Sequence, residues 1–512
     1  MPDTNADSWR LDDAVLAYAV SQPDNTALSF NGQDISYAQL AHMVNNTSAW
    51  IATHLQPGDR FALYSMNHPE SFVLLLAAAQ IGAVMVPLNW RLSLAELQYQ
   101  LDDCGPKILI YGSDFKDNIP PLASPDTSLL TIALDDLDAL RKKTHPTGAN
   151  GSSQPAIDDA LLIVYTSGTT GRPKGAVLTQ RAMRSNAVMS RHAFGLTPDD
   201  IVLNILPLFH VGGLNIQPMP MLLNGGRVII EKTFNPMAVL DTIATHRVTH
   251  ITTVPTMLGA LLGLDEWNAA DLSSLRMIAI GSTDVPVPMI DAVQDRGIPL
   301  VQIYGATETA PIAIYQTADI AFDSAGSIGR EGSDCSIRLV DAAGQDVDSG
   351  AVGEIWVKGD NILSHYWNNP DESMTHITDG WFHTGDMARQ DTNGLYWFAD
   401  RLKHVIISGG ENIYPAELER VLNGHPELLE FSIVGRDDSR WGQVPVIVAV
   451  RNNATSQEVN AQSIMSRFDG EVAKFKRPKD VVFVDALPRN ALGKIVTDRV
   501  ALLAAAPPET TC

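Results

Sequence analysis

Hydrophobic residues follow two different periods along this chain. Over residues 60–112, short apolar runs such as FALYS (61–65) and KILIYG (107–112) alternate with longer segments of helical period. This alternation is typical of a layered α/β domain, in which strands and helices follow one another along the chain. The region 113–157 is rich in Asp, Pro and Ser and predicts loops with a variable helix. A second α/β series follows, with strands predicted at 163–167, 200–207, 226–231, 249–255, 276–281 and 299–305.

The apolar pattern changes in the later part of the chain. Between 326 and 400, the short runs SIRLVD, GEIWVKG and GLYWFAD are separated by Gly- and Asp-rich turns, which predicts a smaller β subdomain. After about residue 400, a helix at 415–425 is followed by strand-like runs, a further helix and the run DVVFVDALP. The predicted fold class is α/β, with a large N-terminal domain of two layered α/β subdomains plus a β subdomain, followed by a small α+β C-terminal domain.

Two local signals mark the N-terminal segment. Asn31-Gly32 separates two short alternating runs, which predicts a β-hairpin because both residue types tolerate positive φ. Ser36 and Gln39 form a capping-box pattern, which predicts that a helix begins here and runs to about Leu55.

Length, charge and cysteine content narrow the class of protein. A chain of 512 residues predicts several domains, and a net charge of −23 argues against nucleic acid or an anionic membrane as a partner. The cysteines Cys104, Cys335 and Cys512 share no CxxC spacing, so we expect no disulfide framework or zinc site and a cytoplasmic location. The polar, acidic N-terminus does not resemble a signal peptide.

The most apolar stretch is residues 72–86, FVLLLAAAQIGAVMV. It is too short to span a membrane and is interrupted by Gln80 and Gly82. We therefore expect a buried core helix and no membrane span.

The segment 165–175, YTSGTTGRPKG, combines features of a phosphate-binding loop. Gly168 and Gly171 permit close backbone approach, Lys174 supplies positive charge, and hydroxyl donors come from Thr166, Ser167, Thr169 and Thr170. The lysine lies between Pro173 and Gly175, so the spacing is not that of a Walker A loop. The loop predicts phosphate binding outside the P-loop NTPases.

Several segments, taken in order, resemble the ANL adenylate-forming enzymes, which include acyl- and aryl-CoA synthetases, adenylation domains of peptide synthetases and beetle luciferases. The resemblance covers nearly the whole chain and is carried by YTSGTTGRPKG (165–175), LPLFHVGG (206–213), YGATET (304–309), GWFHTGD (380–386), DRLKH (400–404), SGGENIYP (408–415) and PRNALGK (488–494). It implies a reaction in which ATP and a carboxylic acid form an acyl-adenylate, after which a thiol displaces AMP.

The resemblance implies roles in the first half-reaction. Thr166 to Lys174 would hold the ATP phosphates, Thr307 would contact the α-phosphate, and Glu308 would bind Mg²⁺. Lys494 would bridge the substrate carboxylate and the α-phosphate. The remaining nucleotide contacts implied by the family are Tyr304 and Gly305 beside the adenine, Gly281, Ser282 and Thr283 as its other wall, and Asp386 and Arg401 at the ribose.

Family members rotate a mobile C-terminal domain for the second half-reaction. The resemblance implies an N-terminal adenylation domain at 1–400, a hinge at 401–403 with Lys403 at its centre, and a C-terminal domain at 404–512. It implies CoA as co-substrate, with contacts from Gly409, Gly410, Trp441, Phe475 and Arg477. Phe475 and Arg477 belong to the basic island AKFKRPK (473–479), which a solvated basic loop explains equally well.

The predicted acyl pocket is uncharged and apolar. Its residues are His210, which we also count among the catalytic candidates, with Gly212, Gly213, Ala306 and Ala310. No Asp or Glu lies between Phe209 and Ile230, which argues against an amino acid substrate. The only arginine of this segment, Arg227, lies in a predicted strand, which weakens the case for a dicarboxylate substrate such as malonate without excluding it. An aryl or hydroxycinnamic acid and a medium-chain fatty acid both remain open.

The expected function is therefore an AMP-forming acid–CoA ligase that uses ATP, Mg²⁺ and CoA. The alternatives are an enzyme that loads a separate carrier protein, a malonyl-type dicarboxylate ligase, a luciferase-like oxidation, and a non-catalytic nucleotide-binding relative. Thr307, Glu308, Asp386, Arg401 and Lys494 are all present, which argues against the last. A homodimer is also left open.

Overall fold

The computed structural model describes residues 9–123, 129–143, 155–166, 173–282, 285–408, 411–438, 440–452, 460–469, 471–472, 474, 476–490 and 493–505. By packing, the chain divides into two compact units, residues 1–337 with 356–383 and residues 338–355 with 384–512. Residues 384–400 thus group with the second unit. The hinge at 401–403 concerns motion and stays a prediction.

The first unit contains a nine-stranded sheet, and its central strands are parallel. Parallel strands joined by helical crossovers are what the alternating pattern predicts. In spatial order the strands are Arg330–Glu331, Ile314–Tyr315, Leu300–Tyr304, Met277–Ile280, His250–Thr253, Ile201–Asn204, Arg227–Ile230, Thr26–Phe30 and Gln33–Ser36.

A seven-stranded sheet forms the other half of this unit. Its strands, in spatial order, are His365–Tyr366, Lys174–Thr179, Ala160–Thr166, Val84–Pro87, Arg60–Tyr64, Ile108–Tyr111 and Leu130–Ala133. The predicted loop region 113–157 is wrong at Leu130–Ala133, which forms a strand. This short strand alternates little and lies at the sheet edge, where it pairs in parallel with Ile108–Tyr111.

Helix Glu70–Ile81 explains the most apolar stretch of the chain. Residues 70 to 79 are all buried, and they share one core with residues of both sheets. A helix that is apolar on every face is stable only when it is covered on every face. The buried core helix is therefore confirmed for residues 72–81, but not for the end of the stretch, where Gly82 ends the helix and residues 84–86 belong to strand Val84–Pro87. Among the described residues, no helix has the length and apolar character that a membrane crossing requires.

Both N-terminal signals are confirmed. Asn31 and Gly32 have φ values of 49° and 73° between antiparallel strands Thr26–Phe30 and Gln33–Ser36. The Ser36 side chain accepts from the backbone N–H of Gln39 at the start of helix Tyr37–Ala52.

The remaining elements follow the predicted order. A five-stranded sheet consists of Cys335–Val340, Val352–Gly359, Trp381–Gln390, Ile377–Thr378 and Tyr396–Arg401. The C-terminal sheet consists of Glu411–Ile413, Ile406–Ser408, Gly442–Arg451, Leu428–Asp438 and Asp480–Phe483, and its apolar side chains form cores with the flanking helices. The other α-helices are Leu11–Ser21, Leu94–Cys104, Ile119–Leu122, Leu137–Lys143, Gln180–Phe194, Val211–Asn215, Pro218–Leu223, Pro236–His246, Pro255–Leu262, Val287–Gln294, Pro370–His376, Pro415–Leu422, Ala461–Ser466 and Thr497–Ala505.

Candidate active site

The predicted phosphate loop lies between two antiparallel strands. In the hairpin of Ala160–Thr166 and Lys174–Thr179, Thr166 lies directly opposite Lys174. The strands therefore hold the two ends of the loop together. The predicted contacts Ser167, Gly168, Thr169, Thr170 and Gly171 lie outside the described residues.

Lys174 is largely buried, with 8% of its surface exposed. Its ammonium forms an ion pair with Glu372 and lies 5.7 Å from the centre of the Tyr366 ring. Glu372 also lies 2.8 Å from His376 Nε2. Burial raises the pKa of Glu372, but hydrogen bonding and charge from Lys174 and then His376 outweigh burial and lower it, so this carboxylate is ionised at neutral pH.

The predicted catalytic turn follows strand Leu300–Tyr304. Thr307 and Glu308 lie in a short 3₁₀ helix, Thr307–Thr309, and both are half-buried. A Cβ on Gly305 would lie 1.9 Å from the carbonyl oxygen of Pro311, so this turn closes only around glycine. The glycine of YGATET thus has a packing role in addition to its place in the motif.

Glu308 receives a hydrogen bond from a buried tyrosine. The Tyr366 hydroxyl lies 2.9 Å from Glu308 Oε1. Burial first, and then the charge of Glu308, raise the pKa of Tyr366, so the phenol stays protonated and donates. The Lys174 ammonium faces the ring of the same tyrosine. Tyr366 therefore lies between Lys174, the predicted phosphate ligand, and Glu308, the predicted metal ligand, and contacts both.

Other predicted nucleotide contacts lie at the same edge of the nine-stranded sheet. Gly281 and Ser282 follow strand Met277–Ile280, which is parallel to the strand that ends at Tyr304. The carboxyl ends of parallel strands meet at one edge, the usual place for ligands in such sheets. A Cβ on Gly281 would lie 2.6 Å from the Ile303 carbonyl oxygen, so close strand packing requires this glycine. Thr283 lies outside the described residues.

The predicted acyl segment leaves the sheet at this edge as well. His210 precedes helix Val211–Asn215, and burial, with a smaller contribution from Arg91, lowers its pKa to about 4. The imidazole is therefore neutral at neutral pH. A Cβ on Gly213 would lie 2.2 Å from the Pro207 carbonyl oxygen, whereas one on Gly212 would meet only Ile216 at 3.6 Å. Gly213 is thus required by packing, and Gly212 leaves space beside His210.

Aromatic rings surround His210 within the first unit. Phe209 lies 4.8 Å from the His210 ring and 6.3 Å from Trp90, and the Arg91 guanidinium stacks 4.9 Å above Trp90. Trp90 and Arg91 were not predicted from the sequence, where their signal is an adjacent tryptophan and arginine shortly after an apolar strand. Ala306 is half-buried, while Ala310 is fully buried with φ 58°.

Buried asparagines hold the catalytic turn from behind. Asn361 Nδ2 donates to the carbonyl oxygens of Thr309 (3.2 Å) and Ile312 (3.0 Å). Asn215 Nδ2 donates to the carbonyl oxygen of Ala310, and Asn186 Oδ1 accepts from Ile312 N–H. These positioning residues were not predicted, because no local pattern marks them: Asn186 follows Ser185 and Asn361 follows Asp360, both polar.

We predict that Asn361→Ala lowers the free energy of unfolding by about 2 kcal/mol, because the carbonyl groups of Thr309 and Ile312 lose their buried donor. Denaturant unfolding measures this loss, and the exposed Asn45→Ala is the control. Equal stability of the two variants would contradict the scaffold role.

In the second unit, Asp386 and Arg401 form an ion pair, and their contacts with the ribose stay a prediction. They lie opposite each other on antiparallel strands, and Arg401 Nε is 3.0 Å from Asp386 Oδ1. The Asp386 side chain is 8% exposed and Arg401 is 48% exposed. Lys403 lies in the 3₁₀ segment Leu402–His404, and its side chain is outside the described part of the chain.

The described C-terminal candidates each make local contacts in the second unit. Lys494 is exposed on a loop in which its N–H donates to Asn490 Oδ1 (3.0 Å). Trp441 is 44% exposed and stacks with Arg440 at 4.8 Å. Arg477 forms an ion pair with Asp469, so part of its charge is compensated. Gly409, Gly410 and Phe475 lie outside the described residues.

Comparison with known proteins identifies the family of this chain. Residues 16–367 match the family model of the AMP-binding enzymes, and residues 417–494 match that of the AMP-binding enzyme C-terminal domain. The chain belongs to the AMP-binding enzyme family. Its expected membership of the ANL acyl- and aryl-CoA synthetases, its fold class and its identity as an acid–thiol ligase are confirmed.

Individual members are similar over almost their whole length. The indoleacetate–CoA ligase of Aromatoleum aromaticum is 43% identical over 95% of this chain and 97% of its own. The feruloyl-CoA synthase of an Amycolatopsis species is 38% identical over 93% and 96%. The o-succinylbenzoate CoA synthetase of Bacillus subtilis, solved with its acyl-adenylate intermediate, has a TM-score of 0.83 and 32% identity over 95% of this chain and 97% of its own.

The expected use of ATP, Mg²⁺ and CoA is confirmed at the level of this family. The site fits a magnesium ion that is shared with a nucleotide. Glu308 offers a half-buried carboxylate, and the described residues contain no cluster of three or more His, Cys, Asp or Glu that would hold a metal alone. Mg²⁺ in nucleotide enzymes is commonly held by one or two carboxylates together with substrate phosphates, so one protein carboxylate is sufficient.

Proposed function

We propose that this AMP-binding enzyme is an aryl acid–CoA ligase, which joins an aromatic monocarboxylic acid to CoA through an acyl-adenylate. The observation that carries the proposal is the apolar, aromatic surrounding of His210, with space left at Gly212. Similarity to ligases of indoleacetate and ferulate supports the same substrate class. The alternative substrates, a medium-chain fatty acid or a malonyl-type dicarboxylate, carry no ring that would stack against these aromatic side chains.

A segment without acidic side chains suits a ring that carries one carboxylate, and the Arg91 guanidinium above Trp90 adds a positive charge next to it. His210 is neutral at neutral pH, and the segment from Phe209 to Ile230 contains no acidic residue. Aromatic side chains such as Phe209 and Trp90 pack well against another ring in stacked or edge-to-face geometry. The Gly212 backbone allows the ring to approach closely.

In the first half-reaction, a carboxylate oxygen attacks the α-phosphorus of ATP, and the bond to the bridging oxygen breaks with release of pyrophosphate. We assign the phosphates to Thr166 and Lys174 and the loop between them, the α-phosphate to Thr307, and the adenine to Tyr304 with Gly281 and Ser282. Glu308 would bind Mg²⁺, which supplies charge neutralisation at the phosphates. Asp386 and Arg401 would hold the ribose, and Lys494 would neutralise the two anions as they meet.

In the second half-reaction, the CoA sulfur attacks the acyl carbon, the bond to AMP breaks, and the thiol proton goes to solvent. We propose that the C-terminal domain turns about Lys403 between the two steps, which withdraws Lys494. Gly409, Gly410, Trp441, Phe475 and Arg477 are the proposed contacts to CoA. The reaction is assigned to the cytoplasm, where ATP and CoA are supplied.

We predict that Lys403→Pro spares pyrophosphate release but slows thioester formation by about tenfold or more, because proline fixes φ at the hinge. Lys403→Ala removes the same charge and keeps the backbone free, so it should retain thioester formation. Single-turnover assays of each half-reaction measure the effect. An unchanged overall rate of Lys403→Pro would argue against the hinge.

The whole proposal is tested by incubating the protein with ATP, Mg²⁺ and a panel of acids, with and without CoA. Indoleacetate, cinnamates and benzoates are compared with fatty acids from acetate to palmitate and with malonate, and pyrophosphate and acyl-CoA are both measured. Thioester formation that is fastest with an aromatic acid supports the proposal. A preference for a fatty acid or malonate overturns the substrate class, and pyrophosphate without thioester favours a carrier-loading enzyme.

A further inference from the structure

The ammonium of the predicted phosphate-loop lysine is paired with a carboxylate of the protein itself. Lys174 and Glu372 form an ion pair across 198 residues of chain, and their side chains are 8% and 18% exposed. We propose that Glu372 is an internal counter-ion of Lys174 that the ATP phosphates replace, so that Glu372 limits the affinity for ATP. The inference rests on the proposed role of Lys174 in phosphate binding.

The pairing stabilises the nucleotide-free protein. Burial of an ammonium is less costly when it is paired with a carboxylate, and the Tyr366 ring, 5.7 Å away, adds a cation–π contact. Glu372 is held near Lys174 because hydrogen bonds fix the start of its helix, Pro370–His376. The Asn369 side chain accepts from Glu372 N–H, and Ser373 Oγ accepts from Tyr366 N–H at 2.8 Å.

ATP reverses the effect of this carboxylate. Its phosphates bring several negative charges to Lys174, so that Glu372 becomes a repulsive neighbour at short range. His376 lies one helical turn further on, with Nε2 at 2.8 Å from Glu372 Oε1. It offers Glu372 another partner when Lys174 turns to the phosphates. The nucleotide must therefore exchange one ion pair for another, which lowers its net affinity.

The test is ATP binding by calorimetry, without acid or CoA, to the full-length protein and its variants. Glu372→Gln should bind ATP about fivefold more tightly, and KM for ATP in pyrophosphate release should fall while KM for the acid stays unchanged. Asp371→Asn is the matched control, since it removes the same charge from an exposed position of the same helix. Its affinity for ATP should stay within about twofold of wild type.

Two further variants keep the test decisive if Glu372→Gln folds poorly. His376→Ala removes the second partner of Glu372 and should weaken ATP binding about threefold, the opposite direction. In a Lys174→Met background, the change at Glu372 should no longer tighten ATP binding, because the shared partner is gone.

The outcomes separate this inference from the proposed function. If wild type and Asp371→Asn bind ATP but Glu372→Gln binds it equally or more weakly, Glu372 is not a competing counter-ion and the inference is wrong, while the proposed function stands. If wild type itself does not bind ATP, the proposed function is wrong, and the inference falls with it.

Discussion

Replacing Lys494 by alanine is expected to reduce acid-dependent pyrophosphate formation about 10²- to 10³-fold, while conversion of a supplied acyl-adenylate to acyl-CoA stays within about twofold of wild type. The first step brings a carboxylate up to the negatively charged α-phosphate, and a positioned ammonium removes that repulsion. The second step starts from a neutral acyl group and a thiol and does not need this charge.

Lys494→Ala is expected to leave the conformation of its loop unchanged. Lys494 N–H donates to Asn490 Oδ1, and the Lys494 carbonyl oxygen accepts from Asn490 N–H at 2.9 Å; these two hydrogen bonds use backbone atoms of residue 494 that alanine keeps. The side chain is exposed, and its truncation leaves no cavity. Arg499→Ala, which removes an exposed positive charge from the following helix, is the control. Equal losses in both half-reactions would contradict the assignment.

Replacing Glu308 by glutamine is expected to lower pyrophosphate formation by about 10²-fold and to raise the Mg²⁺ concentration needed for half-maximal rate. The amide keeps the size of the side chain and can still accept from Tyr366, but it loses the charge that would attract a divalent cation. Titration of the initial rate with Mg²⁺ at saturating ATP measures both effects.

Tyr366→Phe separates the metal role of Glu308 from its hydrogen bond. This variant removes the hydroxyl that lies 2.9 Å from Glu308 Oε1 but leaves the carboxylate in place. Its loss of rate should be about tenfold or less, and its Mg²⁺ dependence should stay near that of wild type. A Glu308→Gln variant with the Mg²⁺ dependence of wild type would exclude Glu308 as the metal ligand.

Much of the fold could be predicted because its signals are local. The Asn31-Gly32 hairpin and the Ser36 cap depend on φ preferences and on contacts three residues apart, which neighbouring residues decide by themselves. Strand Leu130–Ala133 could not be predicted, because a short edge strand is stabilised by pairing with Ile108–Tyr111 and not by its own pattern.

The sequence alone determined the reaction class of this protein. The order and chemistry of its motifs, from YTSGTTGRPKG to PRNALGK, indicate an adenylate-forming ligase, and the family match agrees. It also determined which residue types stand at Thr307, Glu308 and Lys494. A motif of this kind is a short local string, so it can be read without coordinates.

Only the tertiary structure decided how the candidate residues are held. It distinguishes Gly213, which packs against a carbonyl oxygen, from Gly212, which leaves space, although the two are adjacent in sequence. It also shows that Lys174 pairs with Glu372, and that Asn215 Nδ2 donates a hydrogen bond to the Ala310 carbonyl oxygen, 95 residues away. These contacts join distant parts of the chain, and their energies depend on burial, which no local pattern records.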